Sequence, residues 1–285
     1  MDLTTVAAIT PARTRDDLAA LSATVVPLAG GSELFADPRI HLTGLVDLHT
    51  MGWPALTVTP DGLEIAATCT LAELSRMPAE PGWVAHPIFH LACTALFGSF
   101  KIWNVATVGG NLCTSLPAGP MICLTAALDA RVLIWRADGT DEWLPAVDFV
   151  TGNTTNVLEP GDVLRSIHVP AAALTARAGY RKIALSPLGR SGAVLIGRLD
   201  TDGAFVLTVT GGTVRPVQLR YPELPDPATL AADIARLDGW FTDAHGAADW
   251  RRAVSGLLGE EIRQELAEPA APTGAPAAPQ DGTRA

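Results

Sequence analysis

Along this chain, short apolar or alternating runs bounded by turn residues mix with short stretches of helical spacing. Runs at 45–48, 56–59 and 63–67 read as strands, the last two joined by the turn signal Pro60-Asp61-Gly62. A further β-rich run covers residues 25–28, and one at 130–136 leads into an Asp138-Gly139 hairpin. Helical spacing falls at 71–77, 86–97 and 121–128. Thr14 is placed to cap a short helix through Ala20, with Asp16 and Asp17 in its first turn. From about Ala172 the pattern changes. Runs at 181–185, 193–199 and 204–210 form a meander turned at Asp202-Gly203, and two helices follow. In the second helix Trp250, Val254, Leu257, Leu258, Ile262 and Leu266 share helical spacing, while Arg251, Arg252, Glu260, Glu261 and Glu265 point elsewhere. This mixture predicts an α+β fold rather than a doubly wound parallel sheet.

Composition narrows the class. The chain has 285 residues, 48% of them hydrophobic, enough for two domains or one large one. No apolar run approaches the ~20 residues of a membrane span. Residues 1–5 lack a basic, then apolar, export signal, so a cytoplasmic location is expected. A net charge of −10 argues against nucleic acid as a partner. Cys69, Cys93, Cys113 and Cys123 are spaced for neither a metal site nor an iron–sulfur run, and read as small buried hydrophobes. His86 and His90 sit at i, i+4 without a third ligand nearby, so no metal site is expected. Asp47, Glu64, Asp129 and Asp148 are scattered and have no recognisable catalytic partner.

Two stretches carry the chemistry. Leu28-Ala29-Gly30-Gly31-Ser32-Glu33-Leu34 and Ala106-Thr107-Val108-Gly109-Gly110-Asn111 each run apolar residues into a glycine pair, then a short polar side chain. A helix start is expected after each pair. Paired glycines allow positive φ and let backbone N–H groups converge on an anion, with a helix N-terminus adding positive dipole. Taken singly, each stretch is equally an ordinary strand–turn–helix connection. Together they are placed to grip one pyrophosphate from two sides. Neither is a G-x-G-x-x-G dinucleotide fingerprint, and no G-x-x-x-x-G-K-[ST] loop is present.

The two loops, in this order, resemble those of the FAD-binding (medium) subunit of molybdenum hydroxylases, the xanthine dehydrogenase and aerobic carbon monoxide dehydrogenase family. The resemblance runs roughly from Val25 to Leu266. Supporting segments are Thr68-Cys69-Thr70-Leu71-Ala72-Glu73-Leu74, residues 100–111, 162–170 and 180–185, Gly211-Gly212-Thr213-Val214-Arg215-Pro216, and Asp249-Trp250-Arg251-Arg252. It implies a two-lobed FAD-binding domain of the molybdopterin dehydrogenase (PCMH) type over residues 1–171. A small α+β domain, an antiparallel sheet with helices on one face, is implied over 172–267. A proline- and alanine-rich tail over 268–285 reads as disordered.

By the same resemblance the cofactor is FAD. Both loops would hold it, Leu164 would touch its ring or ribityl region, and Lys182 would reach it from the small domain. Two positions depart from the family pattern. Trp103 stands where an Arg is usual, and Pro120 stands where an Asp commonly contacts the nucleotide, with Ser115 and backbone near Ala118 as substitutes. The implied function is electron transfer through FAD, with a molybdopterin-binding large subunit and a [2Fe-2S] small subunit as partners in a dimer of heterotrimers. Two alternatives stay open. One is a flavin-free interaction or scaffold subunit. The other is a stand-alone FAD-dependent oxidoreductase, although 172–267 is short for a substrate domain.

Overall fold

The computed structural model describes residues 3–96, 98–186 and 189–269; the tail expected to be disordered lies, from residue 270, outside the described residues. A parallel three-stranded sheet forms first, from β1 (Ala8–Pro11), β2 (Val25–Leu28) and β3 (Gly44–Asp47), ordered β1-β3-β2. The short helix expected after Thr14 is a 3₁₀ segment, Arg15–Ala20, and at its start the Asp17 carboxylate accepts from the N–H groups of Arg13 and Thr14 at 2.8 Å each. Ala12, Leu18, Leu21, Val46 and Leu48 close a small core on this sheet.

A second, antiparallel sheet follows. Its strands are β4 (Leu56–Thr59), β5 (Gly62–Ala66), β6 (Arg131–Trp135) and β7 (Asp141–Pro145), and, after a short ribbon of β8 (Val150–Gly152) and β9 (Thr155–Asn156), β10 (Val163–Pro170). Their order is β4-β5-β10-β6-β7. Helices α1 (Leu71–Ser75), α2 (Pro87–Thr94), α3 (Phe100–Trp103), α4 (Val108–Thr114) and α5 (Pro120–Ala127) leave this sheet between β5 and β6. Thr70 and Glu73 form a reciprocal capping box at α1. The helix expected over 86–97 is shorter. The one expected from 121 begins at Pro120, whose missing N–H costs nothing at the first helical position.

Beyond α6 (Ala146–Phe149) and α7 (Ala171–Thr175), a four-stranded antiparallel meander forms in sequence order. Its strands are β11 (Arg177–Ala184), β12 (Ser191–Leu199), β13 (Phe205–Thr210) and β14 (Val217–Tyr221). Alternation along β12 decides the packing. Val194 and Ile196 join the large core around α5, whereas Ala193 and Leu195 face the other way. That outer face is covered by Leu230 and Ile234 of α8 (Pro227–Arg236) and by Leu258, Ile262 and Leu266 of α9 (Ala248–Ala267). The expected sheet with helices on one face is therefore present, and its opposite face rests on α5. All eight residues of α5 are buried. At its far end Asp129, in left-handed backbone (φ 49°), pairs with Arg220 and, at 2.5 Å, with the buried Arg198. Gln218 donates to the Ala126 carbonyl at 2.7 Å.

Candidate functional site

The two glycine stretches touch. A Cβ on Gly30 would overlap the carbonyl oxygen of Val105 and lie 2.7 Å from its carbonyl carbon. At Gly31 the backbone turns left-handed, φ +68°, and its carbonyl accepts from Phe35 N at 2.9 Å. The first stretch continues as turns rather than the expected helix. In the second, the helix starts before the glycines: Thr107 is the N-cap of α4, and Gly109 and Gly110 lie inside its first turn.

This difference divides the work between the loops. The N–H groups of the second loop are spent inside the protein. Val108 N donates to Cys69 O at 2.8 Å, Gly109 N to Ala67 O at 3.0 Å, Gly110 N to Thr107 Oγ1 at 3.0 Å and Asn111 N to Thr107 O at 2.9 Å. Gly109 is glycine because α4 lies flat on β5: a Cβ there would fall 2.7 Å from Ala67 Cα. The first loop is the reverse. Among the described residues, the N–H groups of Gly31, Ser32, Glu33 and Leu34 donate to no protein acceptor. Four consecutive unspent donors at a turn with a left-handed glycine are the groups an anion nest would use.

Both loops open on one cavity of about 740 Å³. Of the residues singled out from sequence, Ala29, Gly30, Gly31, Ser32, Glu33, Leu34, Ala106, Thr107, Gly109, Gly110, Asn111 and Leu164 line it. Leu28, Val108, Ser115 and Lys182 do not. Leu28 ends β2, and Val108 is fully buried in the core. Ser115 is also fully buried; its hydroxyl donates to Leu112 O at 2.9 Å and accepts from Asn156 Nδ2 at 3.0 Å, so it ends α4 rather than facing the cavity. Lys182 lies on β11, where burial pulls its ammonium below the ordinary value.

Asn111 serves two elements. Its Oδ1 accepts from Met121 N at 3.0 Å, tying the start of α5 to α4 at the cavity wall. Pro120, next to that contact, does not line the cavity. Trp103 is likewise off the wall, its indole donating to Leu96 O at 3.3 Å.

Sequence reasoning missed Arg39 and His41, which follow the first loop, the segment 158–163, and Arg190 with Ser191 at the start of β12. No local motif marks them; the fold brings them in. Asp162 fixes its own segment by accepting from Arg136 at 2.5 Å and from the N–H groups of Ala137 and Glu159. Cys113 lines the cavity as a thiol, since burial pushes it up to about 12. His86 Nε2 contacts Met77 O and His90 Nδ1 contacts Ser75 Oγ, both at 2.9 Å. Among the described residues no group of three His, Cys, Asp or Glu is arranged to hold a metal ion, and no helix is long and apolar enough to cross a membrane.

Comparison with known proteins places this geometry. Residues 4–172 match the family model described as the FAD binding domain in molybdopterin dehydrogenase. The glyceraldehyde dehydrogenase medium chain of Sulfolobus acidocaldarius is 24% identical over 214 residues, covering 74% of this chain and 72% of that one. Xanthine dehydrogenase of Oryza sativa is 30% identical over 137 residues, which is 46% of this chain but 10% of that much longer protein. In fold, a chain of the reconstituted CO dehydrogenase from Oligotropha carboxidovorans superposes with a TM-score of 0.80 at 20% identity, covering 93% of this chain and 98% of that chain. With the family model spanning more than half of its length, the chain belongs to the FAD-binding domains of molybdopterin dehydrogenases.

Proposed function

We propose that this chain is the FAD-carrying subunit of a molybdenum hydroxylase, receiving electrons from iron–sulfur clusters on a partner and delivering them to an external acceptor. The observation that carries the reading is the anion nest of Gly31, Ser32, Glu33 and Leu34 on the wall of a cavity of about 740 Å³, within the ~300–1,000 Å³ range of cofactor and ligand sites. The residues fit FAD. The nest suits a pyrophosphate, the Ser32 hydroxyl stands beside it, and Gly30 and Gly109 hold the two loops in backbone contact with their supports. The hydroxyl of Ser191, 2% exposed at the same cavity, has no partner among the described residues.

When bound, flavin takes up electrons in pairs and releases them singly. This chain's own part is to bind, orient and shield. The first loop would hold the phosphates, Ala106, Thr107, Gly109, Gly110 and Asn111 would line the site beside them, and Leu164 would pack against the cofactor. No proton-transfer residue is assigned. The flavin-binding unit takes in residues 1–171, and the unit of 172–267 closes the cavity from the far side through β12. The partners are a molybdopterin-binding large subunit and a [2Fe-2S] small subunit, assembled as a dimer of heterotrimers in the cytoplasm.

A flavin-free scaffold would have rested on Pro120, which lies off the cavity wall and serves α5. The test is an absorbance spectrum of the purified chain, with the released cofactor identified by mass. Flavin bands near ~375 and ~450 nm that yield FAD are expected. In the complex with both partners, substrate should bleach the longer band, and omission of the iron–sulfur subunit should abolish that bleaching. A colourless chain that takes up no added FAD would refute the proposal.

A further inference from the structure

The wall of the cavity contributed by the C-terminal sheet consists of Arg190 and Ser191. Ser191 is 2% exposed and, among the described residues, its hydroxyl has no hydrogen-bond partner. A native buried hydroxyl is rarely left unpaired, so one that lines a cavity marks a ligand position. Arg190 takes part in no ion pair among the described residues. The chain just beyond the pair is closely packed. A Cβ on the adjacent Gly192 would lie 2.6 Å from the Trp250 ring and 3.1 Å from His245 O. Arg251, 1% exposed, stacks its guanidinium 4.0 Å over Phe241, donates to Gly211 O at 2.8 Å and pairs with Asp243. Two donors at the cavity wall, one charged and one neutral, therefore have no acceptor among the described residues.

We propose that Arg190 and Ser191 bind the pyrimidine edge of the flavin ring, and that Arg190 sets the reduction potential of the bound cofactor. The inference rests on the reading above that this cavity holds FAD. Two chemical arguments select the ring rather than the adenine. The pyrimidine edge carries two carbonyl acceptors, which match a hydroxyl and a guanidinium. On the N-terminal lobe Val26, Pro27, Leu42 and Leu48 make an apolar patch of the wall, next to the polar Arg39 and His41, and such a patch suits the faces of a flat adenine. Reduction adds negative charge to the pyrimidine edge, so a cation held there favours the reduced form over the oxidised one. Arg190 thus reaches the cofactor from the small domain, as the resemblance implied for Lys182, which lies off the cavity wall.

The test uses the full chain loaded with FAD and compares wild type with Arg190→Gln, Arg190→Lys and Ser191→Ala. The readouts are the midpoint potential, the affinity for FAD and the affinity for ADP, a probe of the phosphate and adenine end alone. Arg190→Gln is expected to weaken reduced-cofactor binding about tenfold more than oxidised, which is about 30 mV toward negative potential for a two-electron couple. Arg190→Lys should restore most of that shift. Ser191→Ala should lower FAD affinity several-fold, and ADP affinity should hold in all three. An unmoved potential in Arg190→Gln, or an ADP loss equal to the FAD loss, overturns the proposal. If wild type takes up ADP but no FAD, the cofactor reading itself fails, which is a separate result from a bound flavin indifferent to residues 190 and 191. Equal thermal midpoints of the cofactor-free proteins exclude misfolding as the cause.

Discussion

Gly30→Ala tests whether contact between the two glycine stretches builds the cofactor site. The added Cβ would overlap Val105 O and stand 2.7 Å from Val105 C, whereas real Cβ atoms essentially never come within 3.0 Å of such neighbours. Both partners are backbone, so no side chain can swing aside, and the loops must part by on the order of 1 Å. Overpacking of this kind costs about 1–3 kcal/mol, and where the cofactor-bound form bears it, the upper part of that range is about 100-fold in affinity. With FAD at a hundredfold excess over the wild-type Kd, the cofactor stabilises wild type by about 2.7 kcal/mol. A hundredfold weaker variant would retain only about 0.4 kcal/mol of that under the same conditions. The assay is a thermal melt with and without FAD, alongside direct titration of flavin fluorescence. Gly256→Ala is the control, because nothing lies within 4 Å of its Cβ inside α9. It should gain up to about 1 kcal/mol in stability and keep its FAD affinity. Gly30→Ala binding FAD as tightly as wild type would refute the argument that this approach shapes the site.

Asn111→Asp keeps the acceptor for Met121 N while adding negative charge to the cavity wall; cofactor-free stability should hold while FAD affinity falls about tenfold or more at low salt. Asp129→Asn suits the left-handed backbone but breaks charged hydrogen bonds to Arg198 and Arg220; a loss of about 2–3 kcal/mol is expected in urea unfolding at pH 7. Burial pushes the Asp129 carboxyl up, but the hydrogen bonds and charges of Arg220 and Arg198 outweigh it and hold the group below the usual carboxylate range. Its contribution is therefore complete above the unfolded value near ~3.9 and is lost as pH falls through the lower folded value. The stability difference between wild type and Asp129→Asn should shrink over that acid limb, and a difference that stays constant there would exclude this pairing as its source. Burial pushes the thiols of Cys93, Cys113 and Cys123 up to about 12 and raises Cys69 further. The native protein should therefore resist a thiol reagent at pH 8, while the unfolded chain titrates four.

Much of the fold was legible because periodicity decides it where one face is buried. In α9, Val254, Leu258, Ile262 and Leu266 face the second core as their spacing indicates, but Leu257 is exposed and Arg251 is buried, the reverse of what spacing gave them. Strands β12 and β13, buried on both faces, were legible as near-continuous apolar runs. Weak patterns were lost. All four residues of β1 are exposed, and β14 is only partly buried, so neither carries an alternation that could be read. The glycine pairs pointed to the cavity, but which pair keeps its donors free depends on where a helix begins. That is fixed by Thr107 and by close packing against Ala67, a contact between segments about forty residues apart. Arg190 and Ser191 carried no signal at all, since only the hairpin from β11 to β12 brings them to the cavity. Ser115 shows the converse: a polar residue close to a glycine pair in sequence, yet committed to ending a helix.

Helix α5 carries a burden during synthesis. It has no polar face, and the side that β12 and β13 cover is translated only later: Thr210, the last residue of β13, follows Ala127 by 83 residues. At roughly 5–20 residues per second that interval is about 4–17 s. Through it, the emerging chain presents an uncovered apolar helix beside an unfinished cofactor cavity. Slow translation between residues 127 and 210 should therefore raise chaperone demand and aggregation, whereas pauses after residue 210 should matter far less.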